Sequence, residues 1–127
     1  MAIFCGALLD GSTPKVFGDG LQTRDYIFVG DVVSAFLAAS NSDVSGAFNV
    51  GTGHEASVLD VGRAIASAYD LSFDPEMAAH RPGEVQRIAI DASRAAAELG
   101  WQPRTGLEEG LAATARWAEA DRRGVCD

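Results

Sequence analysis

Residues 16–33 read V-F-G-D-G-L-Q-T-R-D-Y-I-F-V-G-D-V-V, and no other stretch restricts the fold so tightly. An apolar strand end, a two-glycine loop, a lone arginine, a second apolar run and a helix start follow one another without a spare residue. Gly18 and Gly20 admit positive φ and let a ligand come close to the backbone. Arg24 stands where loop becomes strand, and a guanidinium there offers a phosphate two parallel hydrogen bonds. Taken alone, such an arginine is more often a solvated surface charge. The unbroken apolar run of Tyr26, Ile27, Phe28 and Val29 predicts a strand covered on both faces. Asp31 is the expected N-cap of a helix starting at Val32.

That helix, residues 32–40, carries Val32, Val33, Ala35, Phe36, Leu37, Ala38 and Ala39, so it is expected to be buried nearly all round. A chain of 127 residues holds one modest core and has little with which to surround it. The helix is therefore expected to pack against something outside this sequence, and the isolated chain to self-associate, because large apolar patches are rarely left open on a monomer.

The rest of the chain reads as alternating short elements. A helix over residues 2–9 ends at Asp10-Gly11, and its position at the very start of the chain reads more as a cut than as a domain start. Strands are expected at 15–17, 47–50, 71–73 and 85–90, and loop at 75–83. Ser57 with Asp60 caps a helix over 58–69, Asp91 caps one over 92–99 that Gly100 stops, and Thr105 with Glu108 opens one over 106–120. The tail from Arg122 is expected to fray.

Hydrophobic residues at 47% and charged residues at 22% are ordinary for a soluble globular protein. A net charge of -8 argues against a nucleic-acid surface, which normally shows a basic patch. Cys5 and Cys126 belong to no C-x-x-C pair, so neither a disulfide framework nor a structural zinc site is expected, and a reducing cytoplasm is. No membrane segment is expected either, since residues 32–39 are too few and too alanine-rich to span a bilayer.

Four pieces carry a resemblance over nearly the whole chain: F-G-D-G-x-Q-T-R-D-Y-I-x-V-x-D-V, F-N-V-G-T-G at 48–53, R-P-G-E at 81–84, and D-A-S-R-A-A-A-E-L-G-W-Q-P at 91–103. In order and spacing they resemble the extended short-chain dehydrogenase/reductase family, the nucleotide-sugar epimerases and dehydratases. The resemblance implies an α/β fold of short strands and about five helices. It makes residues 1–127 one C-terminal substrate-binding portion, without the N-terminal Rossmann domain that binds NAD in the intact enzyme.

It also assigns roles. Arg24 and Arg81 match positions that embrace the diphosphate of a UDP-sugar, Glu84 matches an acidic position that accepts from ribose hydroxyls, and Phe17 with Val16 matches the segment lining the base. The family often has Asp where Glu84 stands, and Ile88 stands where members often carry a tyrosine. The family's catalytic Tyr-x-x-x-Lys is missing: Tyr26 is followed four residues on by Gly30 and Tyr69 by Phe73, and Lys15 precedes both. No catalytic and no cofactor-binding residue is therefore expected here, and the chain alone is expected to be inactive. A free-standing nucleotide-binding or interaction module that kept the pocket is the competing expectation.

Residues 50–56, V-G-T-G-H-E-A, match G-x-G-x-x-A between strand and helix, with Asp74 where a dinucleotide fold places its ribose acid. In a true dinucleotide fingerprint the helix starts at the glycines, so that its N–H groups meet the pyrophosphate. Here the Ser57/Asp60 cap delays the helix to Val58, and the turn is read as a tight connection. His54 and His80 lack partners at metal-ligand spacing and are read as turn or surface residues, and Arg87 as a rim charge.

Overall fold

The computed structural model describes residues 1–122 and 124. It is an α/β arrangement of five helices and four short strands: α1 (Ala2–Leu9), β1 (Lys15–Phe17), β2 (Thr23–Asp25), α2 (Val29–Ser40), β3 (Glu55–Ser57), α3 (Val58–Ala68), β4 (Glu76–Ala78), α4 (Ser93–Leu99) and α5 (Leu107–Arg122). The strands form two separate pairs, β1 parallel to β4 with Val16 opposite Met77, and β2 antiparallel to β3 with Arg24 opposite Ala56.

The main core follows from α3. Val58, Val61, Gly62, Ile65 and Ala66 recur at helical spacing and turn one face inward. That face meets Phe4, Cys5 and Leu8 of α1, Val16 of β1 and Leu111 of α5. Gly62 is where the helix is approached most closely: a Cβ there would lie 2.1 Å from the ring tip of Phe73, which stacks edge-on against Phe4 with centroids 5.4 Å apart. The expected Ser57/Asp60 cap of α3 is present in both directions, Ser57 Oγ accepting the Asp60 N–H at 3.1 Å and Asp60 accepting the Ser57 N–H at 3.2 Å. A second cluster joins Ala35 of α2, Ala95 of α4 and Trp101, whose indole N–H donates to Ser34 Oγ at 2.7 Å.

Several expected elements fall differently. The strand at 26–29 is replaced by β2 three residues earlier, and Val29 already opens α2 behind an N-cap at Phe28. The runs at 47–50, 71–73 and 85–90 join no ladder, whereas 76–78, expected as loop, form β4 because β1 lies alongside. Side-chain pattern favours an extended backbone, but only a neighbouring strand turns it into a ladder. Asp31 lies inside the first turn of α2 instead of capping it, and its carboxylate accepts the N–H groups of Arg104 and Thr105 at 3.1 and 2.9 Å, holding the approach to α5. Glu108 makes no hydrogen bond back to Thr105 among the described residues, so the expected capping box of α5 is not formed. Helix α4 starts at Ser93, one residue later than its expected start, although Asp91 does accept the Ser93 N–H at 2.9 Å, and Gly100 ends it at φ 64°.

Helix α2 is not buried all round. Within it only Asp31 and Ala35 are buried, while Val29, Val33, Phe36 and Leu37 are exposed. At the other end of the chain, Arg122 closes α5 and pairs with Asp10 after α1. Apart from Gly124, the rest of the expected frayed tail, Cys126 included, lies outside the described residues; Cys5 is a buried free thiol. No helix among the described residues is long and apolar enough to cross a membrane.

Candidate nucleotide-sugar site

The loop between β1 and β2 is built tightly. Gly18 and Gly20 both take positive φ, at 70° and 72°, which a side chain would resist. A Cβ on Gly20 would lie 2.7 Å from Leu59 and 2.9 Å from Val16, so the loop backbone rests directly on the core. Gln22, buried beneath the loop, donates from Nε2 to the Phe17 carbonyl at 3.1 Å and ties its two ends together. Asp19 accepts the Leu21 N–H at 2.9 Å. The loop therefore presents Phe17 at its entry and Arg24 at its exit on a fixed frame.

The segment after β4 runs past the same frame. Arg81 lays its guanidinium over the Phe17 ring, 3.7 Å from the centroid. Arg24 donates to the Thr23 carbonyl at 2.7 Å and reaches Glu84 Oε1 at 3.7 Å. Arg81 and Glu84 share one turn, the Glu84 N–H donating to the Arg81 carbonyl at 3.4 Å. The two pairs, Arg81 on Phe17 and Arg24 on Glu84, are thus one cluster. The other carboxylate oxygen of Glu84, Oε2, is removed from water and has no hydrogen-bond partner. A carboxylate oxygen in that state is an acceptor waiting for a donor.

Four of the five residues expected from sequence come together in this way. The fifth, Val16, is 1% exposed and packs into the main core, so its side chain is not offered to the cluster. His80 lies against Gly18, with its Cδ2 3.4 Å from where a Cβ would stand, and shares a 3.1 Å hydrogen bond with Gln86. Arg87 pairs with Glu55 at 2.6 Å on the exposed rim. Among the described residues no group of three or more His, Cys, Asp or Glu is placed to hold a metal ion.

Asp25, next to Arg24, was not singled out by its sequence. Its carboxylate accepts the N–H groups of Thr52, Gly53 and Ile90 at 3.0, 2.9 and 3.1 Å and the Thr52 hydroxyl at 2.6 Å. Burial pushes its pKa upward, but the Thr52 hydroxyl and the three N–H donors outweigh it and hold the carboxyl below its ordinary value. The donors of the glycine turn are engaged by an internal anion, and β3 separates that turn from α3. The signal was available: a carboxylate directly before the apolar run of residues 26–29 needs a partner where the chain turns inward.

Two cavities lie apart from this cluster. One, of about 540 Å³, is apolar and sits between residues 26–29 and α5; the other, of about 590 Å³, lies open beside the Gly51–Gly53 turn and Trp101.

Residues 4–114 match the family model described as GDP-mannose 4,6 dehydratase. The UDP-glucose 4-epimerase of Mycolicibacterium smegmatis is 49% identical over 115 residues, covering 90% of this chain and 37% of that protein. The dTDP-glucose 4,6-dehydratase of Xanthomonas campestris is 35% identical over 120 residues, covering 86% of this chain and 34% of the relative. Among solved structures, the UDP-glucose 4-epimerase of Thermotoga maritima with UDP-glucose aligns with a TM-score of 0.89 at 33% identity, over 94% of this chain and 39% of that one. The chain thus spans well under half the length of these relatives.

Proposed function

This chain belongs to the nucleotide-sugar epimerase and dehydratase family of extended short-chain dehydrogenase/reductases, and from that membership we propose that it is the C-terminal, nucleotide-sugar-binding portion of a cytoplasmic UDP-sugar 4-epimerase. Arg24 and Arg81 take the two phosphates, each guanidinium able to give paired charge-assisted hydrogen bonds. Phe17 presents its ring to the flat face of the base, with Arg81 sliding from that ring toward phosphate as ligand arrives. Glu84 accepts from ribose hydroxyls, for which its unpartnered Oε2 stands ready. That orphaned acceptor, on a carboxylate that reaches Arg24 and shares a turn with Arg81, is the observation that carries the reading.

NAD, which the family implies, finds no fitting site among these residues: the glycine-turn donors are held by Asp25, and no Tyr-x-x-x-Lys pair exists in the chain. In the intact enzyme NAD would accept and return a hydride at a sugar carbon. We assign it, with the catalytic pair, to an N-terminal Rossmann domain of the longer protein. The part of this chain is to bind and orient the substrate by its nucleotide end, and it is inactive alone.

A dehydratase is the second reading, favoured by the Xanthomonas campestris relative and by the matching family model. Competition calorimetry tests the nucleotide: UDP displacing dTDP and GDP supports the UDP-sugar reading, and preference for dTDP or GDP overturns it, while the choice between epimerase and dehydratase is read from the product formed by the intact enzyme.

A further inference from the structure

Both guanidinium groups of the cluster are already occupied by this chain's own side chains. Arg24 faces Glu84 Oε1 at 3.7 Å, with only 27% and 23% of the two side chains open to water. Arg81 lies over the Phe17 ring, 3.7 Å from its centroid. Neither pairing is a chance meeting of long surface side chains. The Thr23 N–H donates to the Gln86 carbonyl at 2.8 Å, which fixes the segment carrying Glu84 beside β2, and the Gly18 N–H donates to the Ala78 carbonyl at 3.0 Å, which fixes the segment leading to Arg81 beside Phe17.

An arriving anion must therefore take Arg24 from a carboxylate and Arg81 from an aromatic ring. A half-shielded ion pair and a cation over a ring are both held more firmly than exposed ones. What the displaced partners receive in return depends on the ligand. Glu84 Oε2 is out of water and has no hydrogen-bond partner, so a Glu84 that also loses Arg24 becomes a partly buried charge with nothing on either oxygen. It would then stand close to an incoming charge of the same sign, which costs further. Inorganic pyrophosphate brings negative charge but neither ribose hydroxyls nor a base. A nucleoside diphosphate brings hydroxyls that donate to the Glu84 carboxylate and a flat face that covers the Phe17 ring in place of Arg81.

We propose that Glu84 and Phe17 determine specificity by exclusion: they hold Arg24 and Arg81 away from phosphate that arrives alone and release them to phosphate joined to a ribose and a base. The proposal rests on the nucleotide-binding reading above and adds to it the class of anion that the site turns away.

The test is calorimetry of this chain with UDP and with inorganic pyrophosphate, at fixed salt and without divalent cations, in the parent and in Glu84→Gln, Phe17→Leu and Glu109→Gln. Glu109 is exposed in the first turn of α5 and gives the same change of charge outside the cluster. The parent is expected to bind UDP more tightly than pyrophosphate. Glu84→Gln should tighten pyrophosphate by at least about fivefold, the scale of one ion pair, while weakening UDP. Phe17→Leu should move both ligands in the same directions, and Glu109→Gln should move neither. Pyrophosphate affinity that stays level or falls in Glu84→Gln overturns the proposal. So does an equal gain in Glu109→Gln, since net charge would then account for the effect. Circular dichroism checks the fold of each variant, and where Glu84→Gln is unfolded the same criterion is applied to Phe17→Leu. A pyrophosphate gain in a chain without UDP affinity keeps the exclusion and removes the nucleotide reading, whereas UDP affinity with pyrophosphate unmoved removes the exclusion alone.

Discussion

In the proposed reading Arg24 and Arg81 carry recognition, and removing either deletes hydrogen bonds to a charged group. Arg24→Ala and Arg81→Ala are each expected to weaken UDP binding by about 1.5–3 kcal/mol, read by calorimetry. Gly20→Ala would force a side chain into positive φ and into Leu59 and Val16, so it should cost about 1–3 kcal/mol of stability in chemical denaturation. Asp31 has a third kind of effect. Burial raises its pKa, but the N–H groups of Thr105 and Arg104 outweigh that and hold it below the ordinary 3.8. A carboxyl depressed in the folded state stabilises above its unfolded pKa and loses that contribution as pH falls through the folded value. Thermal stability should therefore drop as pH falls below about 4, and Asp31→Asn should flatten that acid limb while lowering the plateau. At this scale the sequence was legible in which residues gather at one place, Phe17, Arg24, Arg81 and Glu84, and misleading where a partner decides. Asp31 looks like a cap but holds a distant loop, and Val16 sits beside Phe17 in the same motif but fills the core.

Helices were legible because their signals are local. The spacing of Val58, Val61, Ile65 and Ala66 and the Ser57/Asp60 lock both lie within α3 itself. Ser57→Ala should accordingly lower stability by about 1 kcal/mol, with the loss visible as reduced helicity on thermal denaturation. Apart from β1, expected and found at 15–17, strands were not legible in the same way. Tyr26 to Val29 has the composition of a buried strand, whereas the observed β2 is Thr23–Asp25, polar and paired with β3. The difference lies in what is alongside: β4 exists because β1 is beside it, and residues 47–50 have no such neighbour in this chain. The same reasoning explains α2, whose composition anticipates burial that the chain by itself does not supply.

At the scale of the whole molecule, three helices and the β1–β2 loop share one core, and the cluster of Phe17, Arg24, Arg81 and Glu84 is mounted on it. The order of the motifs along the chain revealed the family and this cluster together, because residues fifty-seven positions apart are brought to one place by the β1–β4 pairing. The Gly51–Gly53 turn shows the limit of motif reading, since only folding brings Asp25 to its donors. The account stands on both arginines gripping one diphosphate, and the most direct measurement is a calorimetric double-mutant cycle of Arg24→Ala and Arg81→Ala with UDP, run beside uridine. The account predicts that each substitution weakens UDP, that the double loss departs from the sum of the single losses by at least about 0.5 kcal/mol, and that uridine is insensitive to Arg24→Ala. UDP affinity that stays the same in all four proteins would contradict it.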